Sequence, residues 1–180
     1  MSSKPLPGRV PVVVIGAGLA GMCAALSAAE AGARVLLLEK MDRHGGSSQM
    51  AAGSFAFAQT EDQKALGIED SLEKLEDDLV SASLNLASRD LVKLYVALQA
   101  DAYAWLKAQG VEFHKIALSS NMSVPRTHPT NPRQLVDALQ RKVADQANID
   151  YRTDTAVSRL LKGPDGTCQG VCVGDVPVQA

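Results

Sequence analysis

Two short apolar runs near the start of the chain flank a stretch of small residues. Val12–Ile15 and Val35–Leu38 contain only branched apolar residues, which is typical of strands buried on both faces of a parallel sheet. The residues between them are rich in alanine and predict a helix that ends at Gly32. The hydrophobic pattern therefore predicts a β-α-β unit.

The turn between the first strand and the helix carries three glycines with separate functions. Gly16 permits a tight turn, Gly18 lets backbone approach a pyrophosphate, and Gly21 lets the helix lie close to the sheet. The N–H groups at the start of the helix attract phosphate. Glu39 follows about 20 residues later, where a carboxylate accepts hydrogen bonds from a ribose 2′-OH and disfavours a 2′-phosphate. The unit is interpreted as a dinucleotide site, with a ligand-free α/β core as the alternative.

Leucine and valine recur at helical spacing through residues 60–110. Asp70 followed by Glu73 predicts a capping box, while Ser88 and Gly110 are expected to begin and end a second helix. The predicted buried positions are Leu72, Leu75, Leu79 and Leu86 in the first helix, and Leu91, Leu94, Tyr95, Leu98, Ala102, Trp105 and Leu106 in the second. An acidic group is interpreted as a solvated face of the first helix: Glu73, Glu76, Asp77 and Asp78.

Prolines interrupt the pattern between Met122 and Thr130, so this segment is expected to be irregular. Its Arg126 and His128 are candidates for contact with an anion, and a surface turn is an equal alternative. We therefore assign this segment no single structure from its residues alone.

The C-terminal part of the chain predicts one helix and an antiparallel ribbon. Asn131 and Pro132 are expected to begin a helix that runs to about Ala147, with an inward face of Leu135, Leu139 and Val143. One strand is predicted over residues 149–161, followed by a turn at residues 163–166 and a returning strand at residues 170–178.

Composition limits the possible partners. The 180 residues leave room for one domain, and the net charge of −2, with acids and bases interspersed, gives no reason to expect nucleic acid. No apolar run approaches the roughly 18 residues of a membrane span, and residues 1–11 are interpreted as a leader without a signal sequence. Three cysteines favour a reducing, cytoplasmic setting, with Cys168 and Cys172 as buried thiols, and no spacing predicts a metal site.

A small-residue segment follows the second strand. It contains the runs GGSS at residues 45–48 and AAGS at residues 51–54, which allow backbone to pass close to a flat or charged ligand. A flexible surface loop is the alternative. Together with the GAGLAG turn and Glu39-Lys40, these runs resemble the FAD-binding half of the fumarate reductase and succinate dehydrogenase flavoproteins, and residues 60–71 resemble the soluble fumarate reductases of the flavocytochrome c type.

The resemblance implies a Rossmann-like, three-layer α/β fold with a parallel sheet and an antiparallel ribbon, and it implies FAD as the cofactor. The implied FAD contacts are Gly16, Ala17, Gly18, Ala20 and Gly21 with the pyrophosphate, Glu39 and Lys40 with the adenosine ribose, Gly45, Gly46, Ser47, Ser48, Ala52 and Gly53 with the pyrophosphate and flavin ring, and Ala156 with the adenine. Members that attach FAD covalently use a histidine three places before an alanine pair. This chain has Ser47 or Ser48 near that position, so FAD is expected to be non-covalent.

The implied activity is hydride transfer between flavin and the activated C–C double bond of a small carboxylate. The alternatives are an inactive nucleotide-binding module and a ketosteroid dehydrogenase of the same family. Residues 12–180 are expected to be an incomplete FAD-binding domain that stops before the capping domain, so no catalytic residue is assigned. We expect the isolated chain to be marginally stable, or to need a partner chain or a C-terminal half, because its sheet would lack a parallel strand.

Overall fold

The computed structural model describes residues 4–180, which form two compact units. The first unit contains the residues up to Ala51 together with Val136–Ala180, and the second contains Ala52–Leu135. The strands are β1 (Val12–Ile15), β2 (Val35–Leu38), β3 (Ser54–Ala56), β4 (Thr127–Pro129), β5 (Ile149–Arg152), β6 (Val157–Lys162), β7 (Cys168–Val173) and β8 (Val176–Gln179). The helices are α1 (Leu19–Glu30), α2 (Glu61–Ala65), α3 (Leu72–Ala82), α4 (Arg89–Ala108) and α5 (Pro132–Asp145), and Gly46–Met50 form a 3-10 turn.

A parallel sheet with strand order β1-β2-β5 forms the centre of the first unit. All four residues of β2 are buried, which agrees with its uninterrupted apolar sequence. Among the described residues, β1 is an edge strand, and the side chain of its last residue, Ile15, is 53% exposed. The predicted β-α-β unit is confirmed, since β1 and β2 pair in parallel on either side of α1.

The two faces of this sheet are covered by different elements. Leu36 and Leu38 pack with Val171 and Val178 of the ribbon β6-β7-β8, which is antiparallel throughout. The alternate face points towards α1. The predicted α/β fold, with a parallel sheet and an antiparallel ribbon, is therefore confirmed.

The single strand predicted over residues 149–161 is wrong, because it is two strands in two different sheets. Residues 153–156 separate β5 from β6, and Asp154 adopts a left-handed backbone conformation with a φ of 51°. The Asp154 N–H donates to the Met41 carbonyl, and the Thr155 N–H donates to the Glu39 carbonyl. The chain turns here because these bonds fasten it to the end of β2 before it enters the ribbon.

The second unit combines three helices with the antiparallel pair β3-β4. One apolar cluster joins α3 and α4, and it contains Ala58, Leu75, Val80, Val92 and Val96. A second group consists of five rings in mutual stacked or edge contact: Phe55, Phe57, Tyr103, Phe113 and His128. Together they form the core of this unit.

The predicted buried face of α4 is wrong except at Leu106, because the helix is rotated about its axis relative to the prediction. Leu91, Leu94 and Leu98 are each more than half exposed, and the buried residues are Val92, Val96, Gln99, Tyr103 and Leu106. Gln99 faces inward because its side chain accepts a hydrogen bond from the Ala58 N–H and donates one to the Ala58 carbonyl. A polar residue that satisfies buried backbone groups lies at the centre of the packed face.

The start of α3 also differs from the prediction. Ser71 is the residue before the helix, and its side chain accepts a hydrogen bond from the Lys74 N–H. The reciprocal capping box occurs instead at α2, between Thr60 and Gln63. Leu86 lies beyond the end of α3 and is 85% exposed, so it contributes nothing to the predicted apolar stripe.

The predicted start and inward face of α5 are confirmed. Asn131 accepts hydrogen bonds from the backbone N–H groups of Arg133 and Gln134. The three predicted inward residues, Leu135, Leu139 and Val143, are buried. Across residues 4–180, none of the helices combines the length and apolar character that crossing a bilayer demands.

Candidate nucleotide-binding site

The turn that follows β1 is held by backbone contacts. Gly16 has a φ of +93°, and its N–H donates to the Leu38 carbonyl over 2.7 Å. A Cβ on Gly21 would collide with the Gly16 carbonyl, so this position excludes every side chain. Gly21 is therefore required by the packing of α1 against the turn, with or without a ligand.

Gly18 differs from Gly21 because the protein itself leaves room for a side chain there. A Cβ on Gly18 would make ordinary contacts, 3.5 Å from Ser48 Oγ and 3.7 Å from the Gly45 carbonyl oxygen. Its φ of −79° and ψ of −176° are open to any residue. Nothing in the described chain requires a glycine at this position, which leaves the backbone there accessible to a ligand.

The first turn of α1 presents unpaired N–H groups. Ala20 and Gly21 occupy the second and third helical positions, whose N–H groups have no partner within a helix. The Leu19 N–H donates to Ser48 Oγ over 3.1 Å, and no acidic side chain lies in this turn. The positive end of the helix dipole is therefore available to an anion.

The segment Gly45–Ser48 lies against the same turn. The Gly45 N–H donates to the Ala17 carbonyl over 2.8 Å, and the Gly45 φ of +102° favours glycine. Gly46 and Ser47 are exposed, whereas Ser48 is half-buried through its contact with α1. The structure thus brings Gly45 and Ser48 to the helix start and leaves Gly46 and Ser47 on the outer side of the loop.

Glu39 is buried at the end of β2, with only 7% of its surface exposed. Its Oε2 accepts a hydrogen bond from the Ala17 N–H over 2.8 Å, and its Oε1 accepts one from the Met41 N–H over 2.9 Å. A carboxylate has about four lone-pair sites, so about two remain for other donors. The side chain is fixed against the glycine turn and can still accept hydrogen bonds.

The residues expected to contact the adenosine half of FAD, Glu39, Lys40 and Ala156, line one cavity of about 300 Å³. Its lining consists of Ile15, Gly16, Leu38, Glu39, Lys40, Thr155, Ala156 and Val157. The hydrogen bond from the Thr155 N–H to the Glu39 carbonyl holds Ala156 beside this cavity. Residues that are far apart in the sequence, Gly16, Glu39 and Ala156, therefore surround one space at the carboxyl end of the parallel strands, where open α/β sheets bind their ligands.

Ala52 and Gly53 belong to the second unit. Gly53 has a φ of +70°, and a Cβ there would collide with the Thr130 carbonyl and with Pro132. The Gly53 carbonyl also accepts a hydrogen bond from the Thr130 N–H over 2.6 Å. The glycine at this position is explained by local packing, and Ala52 is exposed.

A buried ionic network in the second unit was missed by sequence reasoning. Arg126 is fully buried, and its Nη2 lies 2.8 Å from Asp70 Oδ1 and 3.2 Å from Asp78 Oδ2. The surface turn considered for Arg126 and His128 is therefore wrong, and the expectation of an irregular segment is wrong over Thr127–Pro129, which form β4. Asp78 does not belong to a solvated face. No local pattern marks this pairing, because Asp70 and Arg126 are 56 positions apart.

His128 continues this network. Its Nδ1 lies 2.8 Å from the Arg126 carbonyl, and its Nε2 lies 2.9 Å from Thr60 Oγ1. Burial lowers the pKa of the His128 imidazole, against a smaller opposing effect of the Arg126 carbonyl. Because a carbonyl only accepts, Nδ1 carries the proton and the Thr60 hydroxyl donates to Nε2.

The cysteines and acidic groups give no further site. Cys172 is buried as expected, but Cys168 is exposed, so the prediction of two buried thiols is half wrong. Burial raises the pKa of the Cys23 thiol in α1 to about 11, which keeps it protonated and unreactive. Among residues 4–180, His, Cys, Asp and Glu side chains form no group that could hold a metal ion.

The geometry fits a dinucleotide at its adenosine and pyrophosphate ends. Unpaired backbone N–H groups and an open Gly18 suit a pyrophosphate, and a buried carboxylate beside a cavity suits a ribose. Both features lie in the first unit and depend on β1, α1 and β2. A side chain blocking the helix start, or Glu39 turned outward, would have contradicted this fit, and neither occurs.

Comparison with known proteins gives the same result. A family model described as an FAD binding domain matches residues 11–177. A fumarate reductase (cytochrome) of Shewanella frigidimarina is 36% identical over 168 residues, which cover 91% of this chain and 29% of that protein. A vinyl phenol reductase of Lactiplantibacillus plantarum is 34% identical over 164 residues, covering 90% of this chain and 33% of that protein.

A solved structure agrees with these relatives. The open conformation of a flavocytochrome c3 fumarate reductase superposes with a TM-score of 0.89 at 30% identity, covering 96% of this chain and 32% of that one. The chain spans about a third or less of the length of each of these relatives. The resemblance found in the sequence is confirmed, and the chain belongs to the FAD binding domain family.

Proposed function

We propose that this chain is the FAD-binding part of a flavin-dependent reductase that acts on the activated C–C double bond of a small carboxylate. The observation that carries the proposal is the cradle in the first unit, which consists of the bare backbone at the start of α1 and of the buried Glu39, which lines a cavity together with Gly16 and Ala156. The family match supports FAD as the ligand of this cradle. The names of the relatives, a fumarate reductase and a vinyl phenol reductase, support the reduction of a C–C double bond.

Each end of FAD is assigned to particular residues. The pyrophosphate lies against the backbone of Gly16, Ala17, Gly18 and Ala20. The ribose hydroxyls donate to Glu39, with Lys40 beside them, and the adenine lies near Ala156. The flavin side of the molecule is assigned to Gly45, Gly46, Ser47, Ser48, Ala52 and Gly53. The protein binds and orients the cofactor through these contacts, most of which come from backbone groups.

The bound FAD supplies the hydride chemistry, which these residues cannot perform themselves. FAD is held without a covalent bond, since the position that carries the linking histidine in other members falls at Ser47 or Ser48. We assign no proton donor and no substrate-binding side chain to the described residues. The part of the reaction attributed to this chain is to hold the cofactor in a fixed orientation.

The proposal is tested by ligand binding to the 180-residue protein. FAD binding is followed by quenching of flavin fluorescence, and ADP binding is followed by calorimetry. We expect both to bind, and we expect Gly18→Ala to weaken both by at least about tenfold, because the added methyl group takes up the space of the pyrophosphate. Gly18→Ala should leave the free energy of unfolding within about 0.5 kcal/mol, since the protein leaves room for it.

Gly8→Ala is the matched control, because a Cβ on Gly8 would have open space around it. The Gly8→Ala protein should bind FAD and ADP as tightly as the unsubstituted protein. Failure of the unsubstituted protein to bind either ligand would contradict the proposal. Binding of ADP but not of FAD would favour the alternative of a nucleotide-binding module without flavin chemistry. Acid precipitation should release all of the flavin into solution, and flavin retained in the pellet would contradict non-covalent binding.

A further inference from the structure

Tyr151 lies on the same face of the parallel sheet as Glu39, on the neighbouring strand. Tyr151 of β5 pairs with Leu37 of β2, so their side chains share a face. Leu38 lies on the opposite face, in the cluster with the ribbon, and Glu39 returns to the face of Leu37. The hydrogen bond from the Glu39 N–H to the Arg152 carbonyl continues the pairing of the two strands up to this point.

The opposite face of β5 confirms this alternation. Asp150 and Arg152 form an ion pair with each other, and Arg152 also donates to the carbonyl groups of Lys4 and Pro5. Tyr151, between them in sequence, points to the other side. Glu39 also lies on that side, where its carboxylate reaches the Ala17 N–H at the start of α1.

The Tyr151 hydroxyl is buried and has no hydrogen-bond partner within residues 4–180. A buried hydroxyl without a partner is unfavourable, so such groups normally contact protein or an ordered water. Burial, with a further contribution from the nearby Glu39 carboxylate, raises the pKa of Tyr151 to about 12. The phenol therefore remains protonated at neutral pH, and its neutral hydroxyl can donate or accept a hydrogen bond.

Glu39 is the acceptor that suits this hydroxyl. Its two backbone donors, Ala17 and Met41, leave about two lone-pair sites unused. The Tyr151 hydroxyl does not reach the carboxylate directly, so one water would complete the contact. Tyr151 is also absent from the lining of the cavity, which Glu39 does line. An effect of the phenol on a ligand in this cavity would therefore be exerted through Glu39.

We propose that Tyr151 is a positioning residue for Glu39: its hydroxyl donates through one bridging water to the carboxylate and so fixes the orientation in which Glu39 receives the ribose hydroxyls. This inference rests on the proposed function, since it assigns a nucleoside ribose to the Glu39 carboxylate. A third donor restricts the rotation of the carboxylate and satisfies a lone pair that faces the protein. The lone pair that faces the cavity is then held ready for the ligand.

The test is a double-mutant cycle with ADP as the probe and the 180-residue protein as the host. Tyr151→Phe removes the hydroxyl and keeps the ring. We expect it to weaken ADP binding by about tenfold in the presence of Glu39, and by less than about twofold in the Glu39→Gln background. Tyr95→Phe is the matched control: that phenol donates to the Ala56 carbonyl in the second unit, and its removal should leave ADP affinity unchanged.

Thermal melting with and without ADP separates positioning from a purely structural role. We expect Tyr151→Phe to melt close to the unsubstituted protein without ligand and to show a smaller rise in melting temperature with ADP. Unchanged ADP affinity, an equal loss in the Glu39→Gln background, or loss of folded structure without ligand would each overturn the proposal. Failure of the unsubstituted protein to bind ADP would count against the proposed function instead.

Discussion

In the first unit several polar groups stay accessible, whereas in the second unit polar groups are enclosed in the interior. At the start of α1 backbone N–H groups remain unpaired, and Glu39 keeps unused lone pairs beside a cavity. In the second unit, Arg126 Nη2 pairs with Asp70 and His128 bonds to the Arg126 carbonyl in the interior, although Arg126 Nε and Nη1 have no hydrogen-bond partner among residues 4–180. Groups that are left accessible indicate binding, and groups that are enclosed indicate structural support.

The glycines show the same contrast on a smaller scale. Gly21 and Gly53 are required by the protein, because a Cβ at either position would collide with backbone. Gly18 is not required by any neighbour in the described chain. A glycine without a packing reason next to a helix start is the stronger sign of a ligand. The following predictions test this division between structural and binding positions.

Arg126→Met should produce the largest loss of stability. The substitution leaves the buried Asp70 carboxylate without its charge partner, and breaking a buried pair in this way reduces the free energy of unfolding by about 3–5 kcal/mol. Urea denaturation followed by circular dichroism measures the change. Arg133→Met is the control, because Arg133 is exposed on α5. This substitution should change the free energy of unfolding by less than about 0.5 kcal/mol.

An Arg126→Met protein as stable as the unsubstituted one would show that the buried network is not a structural support. The double variant Arg126→Met with Asp70→Asn should recover part of the lost stability, because it removes the unpaired charge. No recovery would mean that the effect of Arg126 comes from packing alone.

Gly21→Ala should produce the next largest effect, in the first unit. Its methyl group would overlap the Gly16 carbonyl, and overpacking of this kind reduces the free energy of unfolding by about 3 kcal/mol. ADP binding should be lost as well, since the turn that is proposed to hold the pyrophosphate must move. The comparison with Gly18→Ala is decisive: the two substitutions should both weaken binding, but only Gly21→Ala should destabilise the protein. Equal stability of the two variants would contradict the distinction.

The cradle could be predicted because its signal is local. Gly16, Gly18, Gly21 and Glu39 lie within 24 consecutive residues, and each follows from backbone geometry between one strand and the next. Strand order β1-β2 and the antiparallel pair β6-β7 also follow from short-range patterns. The single returning strand predicted over residues 170–178 is wrong, because the chain turns between β7 and β8, which pair antiparallel with each other. Ala156 was assigned to the adenine only because of the family resemblance. No pattern in the sequence alone predicts that residues as far apart as Glu39 and Ala156 line the same site.

The rest could not be predicted because it depends on long-range pairs of side chains. The face of α4 is set by Gln99 bonding to Ala58, and a count of apolar residues places Gln99 outside. The break between β5 and β6 depends on hydrogen bonds from Asp154 and Thr155 to the end of β2. Hydrophobic periodicity carries no information about partners of this kind.

Gln99→Leu tests whether such a pair stabilises the second unit. Leucine matches the size of glutamine but leaves the buried N–H and carbonyl of Ala58 without partners, which should reduce the free energy of unfolding by about 1–3 kcal/mol. Urea denaturation again measures the change. Gln134→Leu is the control, because its side chain is exposed on α5. A neutral Gln99→Leu substitution would show that burial of apolar surface, and not the paired backbone, sets the face of α4.

The smallest expected effect is a dependence of stability on pH that comes from His128. Because burial lowers its pKa below 6.5 in the folded protein, the unfolded chain binds a proton more readily. Its contribution to stability is therefore complete above pH 6.5 and declines as the pH falls through that value. His128→Asn removes this titration, while His44 and His114 remain in both proteins. The difference in the free energy of unfolding between the two proteins should accordingly narrow from pH 7.5 to pH 5.5. A difference that stays constant over this range would show that His128 is equally protonated in both states and contributes no pH dependence to the stability of the protein.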